Sequence, residues 1–186
     1  LPITVFNGSG GQIDNFTIPF PGSNQLPVQF SNPCVTPPTD ICVEEAIYQQ
    51  VVTLPQSQNG WTLSYQRCCR GPGVNNLINP ASTGITLTVD IPPHSQFATN
   101  SSPRFNNFPP LLLCSNDALE FDHSATDPDG DSLVYSLCDP MHGGSDFDPA
   151  PNPALPPPYQ PVNWQTGLSA ANPFPVGSIT IDPQTG

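Results

Sequence analysis

Proline and glycine are spread along the whole chain and limit the secondary structure that it can form. The 186 residues include 27 Pro and 14 Gly, which together exceed one residue in five. Proline breaks a helix interior, and glycine costs about 1 kcal/mol there relative to alanine. Cys42 to Leu54 lacks both residues over a helical length, but its Val51-Val52-Thr53 end favours a strand. The sequence therefore predicts a loop-rich, all-β protein.

The charge balance is strongly acidic. The net charge is −12, because 15 acidic residues stand against three Arg and no Lys. Without a basic patch the chain is not expected to bind nucleic acid or anionic lipid. No apolar run is long enough for a transmembrane helix, and the chain begins at Leu1 rather than at Met. We expect a mature, secreted protein of the cell surface or extracellular space, without membrane insertion.

Short stretches of alternating apolar and polar residues predict two β-sandwich units in tandem. Residues 1–100 suffice for the first unit, and Ile85, Leu87 and Val89 share one face of a strand within it. Residues 101–186 hold about five strand patterns, whereas an immunoglobulin-like unit has about seven. We therefore predict immunoglobulin-like or jelly-roll-like sandwiches, of which the second is incomplete within this chain.

Two pairings within these units follow from turn residues. Cys42 to Leu54 and Trp61 to Arg70 are predicted to form a β-hairpin, because Asn59-Gly60 between them is a strong turn signal. Leu119 to His123 and Ser132 to Cys138 are predicted strands on the two sides of an acidic turn.

That turn reads Asp127-Pro128-Asp129-Gly130-Asp131, and it concentrates carboxylates in one bend. Clustered oxygen ligands on a rigid loop suit a hard cation, most naturally Ca²⁺. The spacing is not that of an EF-hand, which has glycine at its sixth and glutamate at its twelfth position. We predict that Asp127, Asp129 and Asp131 bind Ca²⁺, helped by Asn116, Asp117 or Asp139; a solvated acidic turn is the alternative.

The even number of cysteines, with no zinc-type spacing, favours disulfides in a secreted protein. They are Cys34, Cys42, Cys68, Cys69, Cys114 and Cys138. We predict that Cys114 joins Cys138. Neighbours on a strand point to opposite faces, so Cys68 and Cys69 are expected to reach two different partners, with Cys34 and Cys42 as candidates. The connectivity does not follow from the sequence.

Catalytic motifs are missing from the sequence. The imidazoles are His94, His123 and His142, and the adjacent Asp122 and Ser124 do not make a triad with His123 on a strand. The sequence has no nucleophile elbow, phosphate-binding loop or zinc-protease motif. We therefore expect a protein that is not an enzyme, although paired carboxylates for glycoside hydrolysis are compatible with the abundant Asp.

Several stretches resemble known proteins in their order and type. ATDPDGDSLVYSL resembles the calcium-proximal turn of cadherin-like and immunoglobulin-like repeats on bacterial surfaces. Residues 33–186, with CVEEAIYQQVVTLP, GWTLSYQRCCRGPGVNNLINP and PPPYQPVNW, resemble a module of large secreted, surface-exposed proteins of Bacteroidota, of the gliding-motility-associated type. The resemblance implies an extracellular location and a repeat architecture, and it implies no chemistry.

Four residues lie in short matches to glycosylation motifs. Asn7, Asn15 and Asn100 begin sequons for N-glycosylation. Asp131-Ser132-Leu133 resembles the O-glycosylation signal of Bacteroidota, which makes Ser132 a candidate. Chance matching is the alternative for all four residues.

We expect an extracellular structural protein whose copies assemble head-to-tail into a surface filament, rigidified by disulfides and Ca²⁺. In this hypothesis the strand-like arm at residues 1–20 completes the unfinished sandwich of a neighbour by β-augmentation. The other reading of residues 1–20 is that they belong to the first unit of their own chain. The alternative function is a carbohydrate-binding or adhesive module, in which Trp61, Tyr65 and Trp164 would stack on sugars.

Overall fold

The computed structural model describes residues 1–27, 42–96, 99–113 and 118–186. Within these ranges the sheets are antiparallel and there is no α-helix, since the one helical turn is a 3-10 helix at Pro80–Ser82. The all-β prediction is confirmed. The strands are β1 Pro2–Asn7, β2 Gln12–Thr17, β3 Asn24–Gln25, β4 Glu44–Glu45, β5 Trp61–Arg67, β6 Ile85–Ile91, β7 Arg104–Phe105 and β8 Ala125–Thr126.

The chain forms two compact units, and each unit is discontinuous in sequence. The first comprises Leu1–Ile18, Gln50–Thr99 and Ser136–Ile181, and the second comprises Pro19–Gln49, Asn100–Tyr135 and Asp182–Gly186. The sequence predicted two consecutive units divided after residue 100. The structure instead groups residues 136–181 with the N-terminal strands, because hydrogen bonds join them to that sheet.

The first unit is built on a four-stranded antiparallel sheet in the order β2-β1-β5-β6. The turn between β1 and β2 is fixed by Asn7, whose side-chain oxygen accepts hydrogen bonds from the N–H groups of Ser9 and Gly11. Gly10 in this turn has a φ of 79°, a conformation that glycine adopts without steric cost. Residues 2–17 are therefore part of the sheet of their own chain.

The predicted hairpin between Cys42 to Leu54 and Trp61 to Arg70 is wrong. β5 lies between β1 and β6, and its pairing with β6 runs from Trp61–Ile91 to Arg67–Ile85. Both edges of β5 are therefore occupied. In place of a long first strand, the two residues of β4 pair with β3 in the second unit.

One face of the sheet is covered by residues 139–165, which we call the covering segment. The buried residues of this face are mostly polar, and the covering segment forms hydrogen bonds with Thr4, Gln66 and Thr86 among them. The buried Ser64 hydroxyl has no hydrogen-bond partner among the described residues. The Ala154 N–H donates to Thr4 Oγ1 at 2.8 Å, and the Leu155 N–H donates to Gln66 Oε1 at 2.9 Å. Thr86 Oγ1 donates to the His142 carbonyl oxygen. Buried polar groups need such partners, so the segment and the sheet face depend on each other.

The covering segment is itself held by backbone hydrogen bonds outside regular strands. The Val162 N–H donates to the Pro140 carbonyl at 2.9 Å, and the Ile78 N–H donates to the Asn163 carbonyl at 2.8 Å. Leu77 and Val162 are buried there, each with 4% of its surface exposed. Proline and glycine favour a loop at residues 141–158, as observed, but nothing in the local sequence indicates that this loop packs on the sheet.

The second unit has little regular structure among its described residues. It contains two short ladders, β3 with β4 and β7 with β8. The strands predicted at Leu119 to His123 and Ser132 to Cys138 are absent from the described parts of both stretches, and only the short β8 precedes the acidic turn. Tyr135 instead donates its backbone N–H to the Pro183 carbonyl and its hydroxyl accepts from the Ala125 N–H.

Substitution of Gly84 tests the packing of the covering segment on the sheet. A Cβ at this position would collide with the Gly144 carbonyl oxygen and would lie 2.7 Å from the Arg67 carbonyl oxygen. Because both neighbours are backbone, we expect Gly84→Ala to lower the free energy of unfolding by about 2 kcal/mol, measured by urea denaturation. The control is Gly73→Ala, where a Cβ would meet no atom within 4 Å. Equal midpoints for the two variants would contradict this packing.

Candidate assembly surface

The C-terminal part of β6, residues 87–91, is exposed along its whole length. Leu87, Val89 and Ile91 leave 56%, 45% and 38% of their surface exposed, and Thr88 and Asp90 between them are also exposed. Consecutive exposed residues in a strand mean that neither face is covered there, since side chains alternate between faces. We call residues 87–91 of β6 the open edge.

The apolar residues of the open edge belong to the more apolar face of the sheet. Leu87 lies opposite Tyr65, and Val89 lies opposite Leu63, which in turn lies opposite Val5 of β1. Directly paired residues share a face, so these side chains form one apolar surface. It is covered at Val5, half-buried on β5 and exposed on β6. Burial therefore falls off toward the open edge.

The backbone of the open edge has unpaired hydrogen-bonding groups among the described residues. At the start of β6 the Thr86 N–H donates to the Met141 carbonyl, so this N–H points away from β5. Backbone groups alternate in direction along a strand, so Thr88 and Asp90 also point outward. No described residue pairs with residues 87–91 on that side. Unpaired strand edges are templates for pairing with another chain.

The sequence identified this strand but not its exposure. The alternation of Ile85, Leu87 and Val89 predicted one apolar face, and that face was expected to lie in the core of a sandwich. The other face carries Thr86, Thr88 and the charged Asp90, so the pattern favoured burial of the apolar face. The structure instead buries Thr86 and leaves Leu87 and Val89 exposed.

The acidic turn of the second unit is closed by its own first carboxylate. Asp127 Oδ1 accepts hydrogen bonds from the N–H groups of Asp129 at 2.8 Å and Asp131 at 3.2 Å. Gly130, with a φ of 81°, donates its N–H to the Asp127 carbonyl, and Asp129 Oδ2 accepts from the Ser101 N–H. The predicted tight bend is observed, and two of its carboxylates accept backbone hydrogen bonds.

The predicted calcium ligands are only partly described by the structure. Asn116 and Asp117 lie outside the described residues. Asp139 lies in the first unit, where its Oδ1 accepts a hydrogen bond from Trp164 Nε1 at 2.9 Å. Among the residues that the structure describes, no three His, Cys, Asp or Glu side chains gather in a group that could hold a metal ion. The calcium site stays a prediction.

The observed cysteine pairing differs from the predicted pairing at Cys68 and Cys69. Cys68 and Cys69 are joined to each other by a disulfide, so the expectation that they reach different partners is wrong. The alternation of side chains that supported it applies within a strand, and β5 ends at Arg67. Cys42 and Cys138 are exposed and are not bonded to any cysteine in the described ranges. Cys34 and Cys114 lie outside those ranges, so a Cys114–Cys138 disulfide stays a prediction.

The candidate glycosylation residues differ in their surroundings. Asn100 and Ser132 are exposed. Asn7 is half-buried and holds the β1–β2 turn, and Asn15 Nδ2 donates to Asn152 Oδ1 at 2.6 Å. A glycan is easier to accommodate at the first two residues, because the Asn7 and Asn15 side chains are already hydrogen-bonded.

The catalytic candidates His123 and Asp122 contact neighbouring side chains of their own unit, and Arg70 forms a hydrogen bond in the first unit. The centroid of the His123 ring lies 4.4 Å from the centroid of the Phe105 ring and 5.8 Å from that of the Phe121 ring. Hydrogen bonds from the Ser124 side chain and backbone, and from Asn107, hold the pKa of the Asp122 carboxyl below its usual value. Arg70 Nη2 donates to the Met141 carbonyl at 3.4 Å, and burial lowers the pKa of this guanidinium.

The second unit carries a groove of about 950 Å³. Its lining residues include Phe108, Pro109 and Phe121 together with polar residues such as Asn107 and Glu120. The aromatic residues proposed to stack on sugars lie elsewhere: Trp61 and Tyr65 are half-buried in β5, and Trp164 is bound to Asp139. The carbohydrate-binding alternative stays a prediction.

Comparison with known protein families, with curated proteins and with solved structures found no match. Within the described ranges, no helix has the length and hydropathy needed to span a membrane.

Calcium binding can be tested by thermal unfolding. Binding to the folded state alone stabilises it, by about 2.7 kcal/mol when the free ligand is at 100 times its dissociation constant. We expect Ca²⁺ to raise the unfolding temperature relative to chelator, and we expect Asp131→Asn to reduce the shift. Asp146→Asn, an exposed carboxylate outside the turn, is the control. The same unfolding temperature with chelator and with excess Ca²⁺ would count against the site.

Proposed function

We propose that this chain is an extracellular structural protein whose copies associate through the open edge of β6. The observation that carries the proposal is the combination, in residues 87–91, of a backbone edge that no described residue pairs with and the exposed side chains of Leu87, Val89 and Ile91. A free strand edge beside an exposed apolar surface is a template for pairing with another chain, which is called β-augmentation.

The proposal changes the route of assembly that the sequence suggested. Strand donation by residues 1–20 finds no support, because β1 is paired on both sides, by β2 and β5, and the Leu1 ammonium donates to the Ile18 carbonyl at 2.6 Å. Releasing these strands would break the sheet itself. A preformed edge needs no such rearrangement, so we propose edge pairing in place of strand donation.

The immunoglobulin-like sandwich, its disulfides and its calcium site are also part of the proposal. We propose that the four-stranded sheet is one layer of an immunoglobulin-like sandwich, since its two faces are distinct and its strands are antiparallel. Disulfides and Ca²⁺ at the acidic turn would rigidify the units. An acidic, cysteine-containing chain with a net charge of −12 is suited to the calcium-rich extracellular environment.

Thr88→Pro tests the role of the open edge. The substitution removes an outward N–H that no described residue accepts, and proline is tolerated on edge strands. Losing one such bond from each copy costs about 1–3 kcal/mol, so we expect the dissociation constant from sedimentation equilibrium to rise by roughly 5- to 140-fold.

The matched control is Thr88→Ser, which keeps the N–H and should associate like the native chain. Circular dichroism checks that both variants are folded. A native chain that stays monomeric up to millimolar concentration would refute the proposed function, and so would a folded Thr88→Pro variant that associates normally.

A further inference from the structure

We infer that the partner of the open edge is the same edge of a second copy. The two strands form an antiparallel pair whose two-fold axis lies midway between the two copies of Val89. This inference rests on the proposed function and specifies the partner and the register. Edge pairing in general allows any strand as partner. For an antiparallel pair of two copies of this edge, the backbone direction, the occupied position at Thr86 and the charge of Asp90 select one register.

The direction of the backbone groups requires that one residue of the edge lie directly opposite its own copy, and the register is then said to be centred on that residue. In an antiparallel pair, two residues directly opposite each other either exchange both hydrogen bonds or exchange none. An axis between two residues would place Thr88, whose groups point outward, opposite a residue whose groups face β5. Such a pair cannot exchange its bonds, so only registers centred on a residue remain.

The start of β6 excludes the registers centred on Leu87 and Thr88. A two-fold axis at Leu87 places Thr86 opposite Thr88 of the second copy, and an axis at Thr88 places Thr86 opposite Asp90. Both registers need the outward N–H of Thr86, which already donates to the Met141 carbonyl. Thr86 is also 94% buried, since only 6% of its surface is exposed.

The end of β6 excludes the registers centred on Asp90 and Ile91. An axis at Asp90 places two carboxylates directly opposite each other, and like charges in that position are destabilising. An axis at Ile91 places Asp90 opposite Pro92, which has no N–H to donate. The register centred on Val89 avoids both problems.

The Val89 register uses the five open residues and no others. Thr88 lies opposite Asp90 of the second copy, and each such pair exchanges two backbone hydrogen bonds. Val89 lies opposite Val89, and Leu87 lies opposite Ile91. Because the two-fold axis is perpendicular to the sheet, the six apolar side chains lie on one face and continue the apolar surface of β5 across both copies.

The polar face is also complementary in this register. Asp90 Oδ1 accepts a hydrogen bond from Thr62 Oγ1 at 2.7 Å, which leaves its second oxygen available. The Thr88 hydroxyl of the second copy lies directly opposite and can donate to that oxygen. The carboxylate therefore gains a donor in place of a second charge.

The contact is isologous, so it closes as a dimer, and growth into a filament needs a second surface. Five residues from each copy cover far less than the about 800 Å² per partner of stable complexes. Each copy also carries a net charge of −12, which opposes association at low salt. We therefore expect a reversible dimer that tightens as added salt screens this repulsion.

Val89→Cys tests the register by disulfide cross-linking under mild oxidation. Residues in a non-hydrogen-bonded antiparallel pair have Cα atoms about 4.5 Å apart, within the range of a disulfide. We expect Val89→Cys to form a disulfide-linked dimer through residue 89. The link is assigned by peptide mass spectrometry, because Cys42 and Cys138 are also exposed.

Leu87→Cys is the matched control, since it lies on the same face of the same strand but not on the axis. Alone it should cross-link at least about fivefold less, and mixed with Ile91→Cys it should form the 87–91 heterodimer. If the native chain associates but residue 89 does not cross-link preferentially, the register is wrong and the proposed function stands. If the native chain does not associate, both fail.

Discussion

The hydrogen bonds between the covering segment and the polar face of the sheet are the interaction on which the first unit depends. Thr4, Gln66 and Thr86 are buried on this face of the sheet, and the backbone at 142–155 forms hydrogen bonds with all three. Leaving such groups unpaired would cost about 1–3 kcal/mol each. A segment too rich in proline for regular structure can serve here, because it presents carbonyl and N–H groups that no strand or helix has already used.

Because the covering segment packs on the polar face of the sheet, it leaves the opposite, apolar face of β5 and β6 without this cover. The apolar residues of β5 and β6 are left on the side away from the covering segment, and their exposure increases toward β6. The covering segment pairs with β6 at Thr86 and does not pair with it beyond that residue. The open edge and the apolar surface therefore coincide at Leu87 to Ile91, and this coincidence is the basis of the assembly that we propose.

The sequence predicted the fold where alternation is long and local. The strand-like arm at residues 1–20 contains β1 and β2, and the strand predicted at Trp61 to Arg70 corresponds to β5. The shared face of Ile85, Leu87 and Val89 belongs to β6, and the all-β class followed from proline and glycine. Prediction failed where pairing is non-local. Asn59-Gly60 indicated a turn, and Gly60 has a φ of 73°, but the strand before it does not form. Turn residues fix a bend and leave open which strands pair across the sheet.

The candidate site was harder to predict, because exposure depends on what covers a strand. The alternation of β6 favours burial of its apolar face, and the segment that covers the other face begins at residue 139, about 50 residues further along the chain. The acidic turn shows the opposite case. Its Asp-Pro-Asp-Gly-Asp pattern specified the bend from local chemistry, and its proposed cation depends on residues from other segments.

Amide hydrogen exchange along β6 tests the central claim most directly. At low concentration, the amides of Thr88 and Asp90 should exchange fast, whereas those of Leu87 and Val89, which face β5, should be protected. At high concentration the Thr88 and Asp90 amides should gain protection, and the other two should change little. Protection of Thr88 and Asp90 that is already complete in the dilute monomer would mean that the edge is covered, and it would contradict the account.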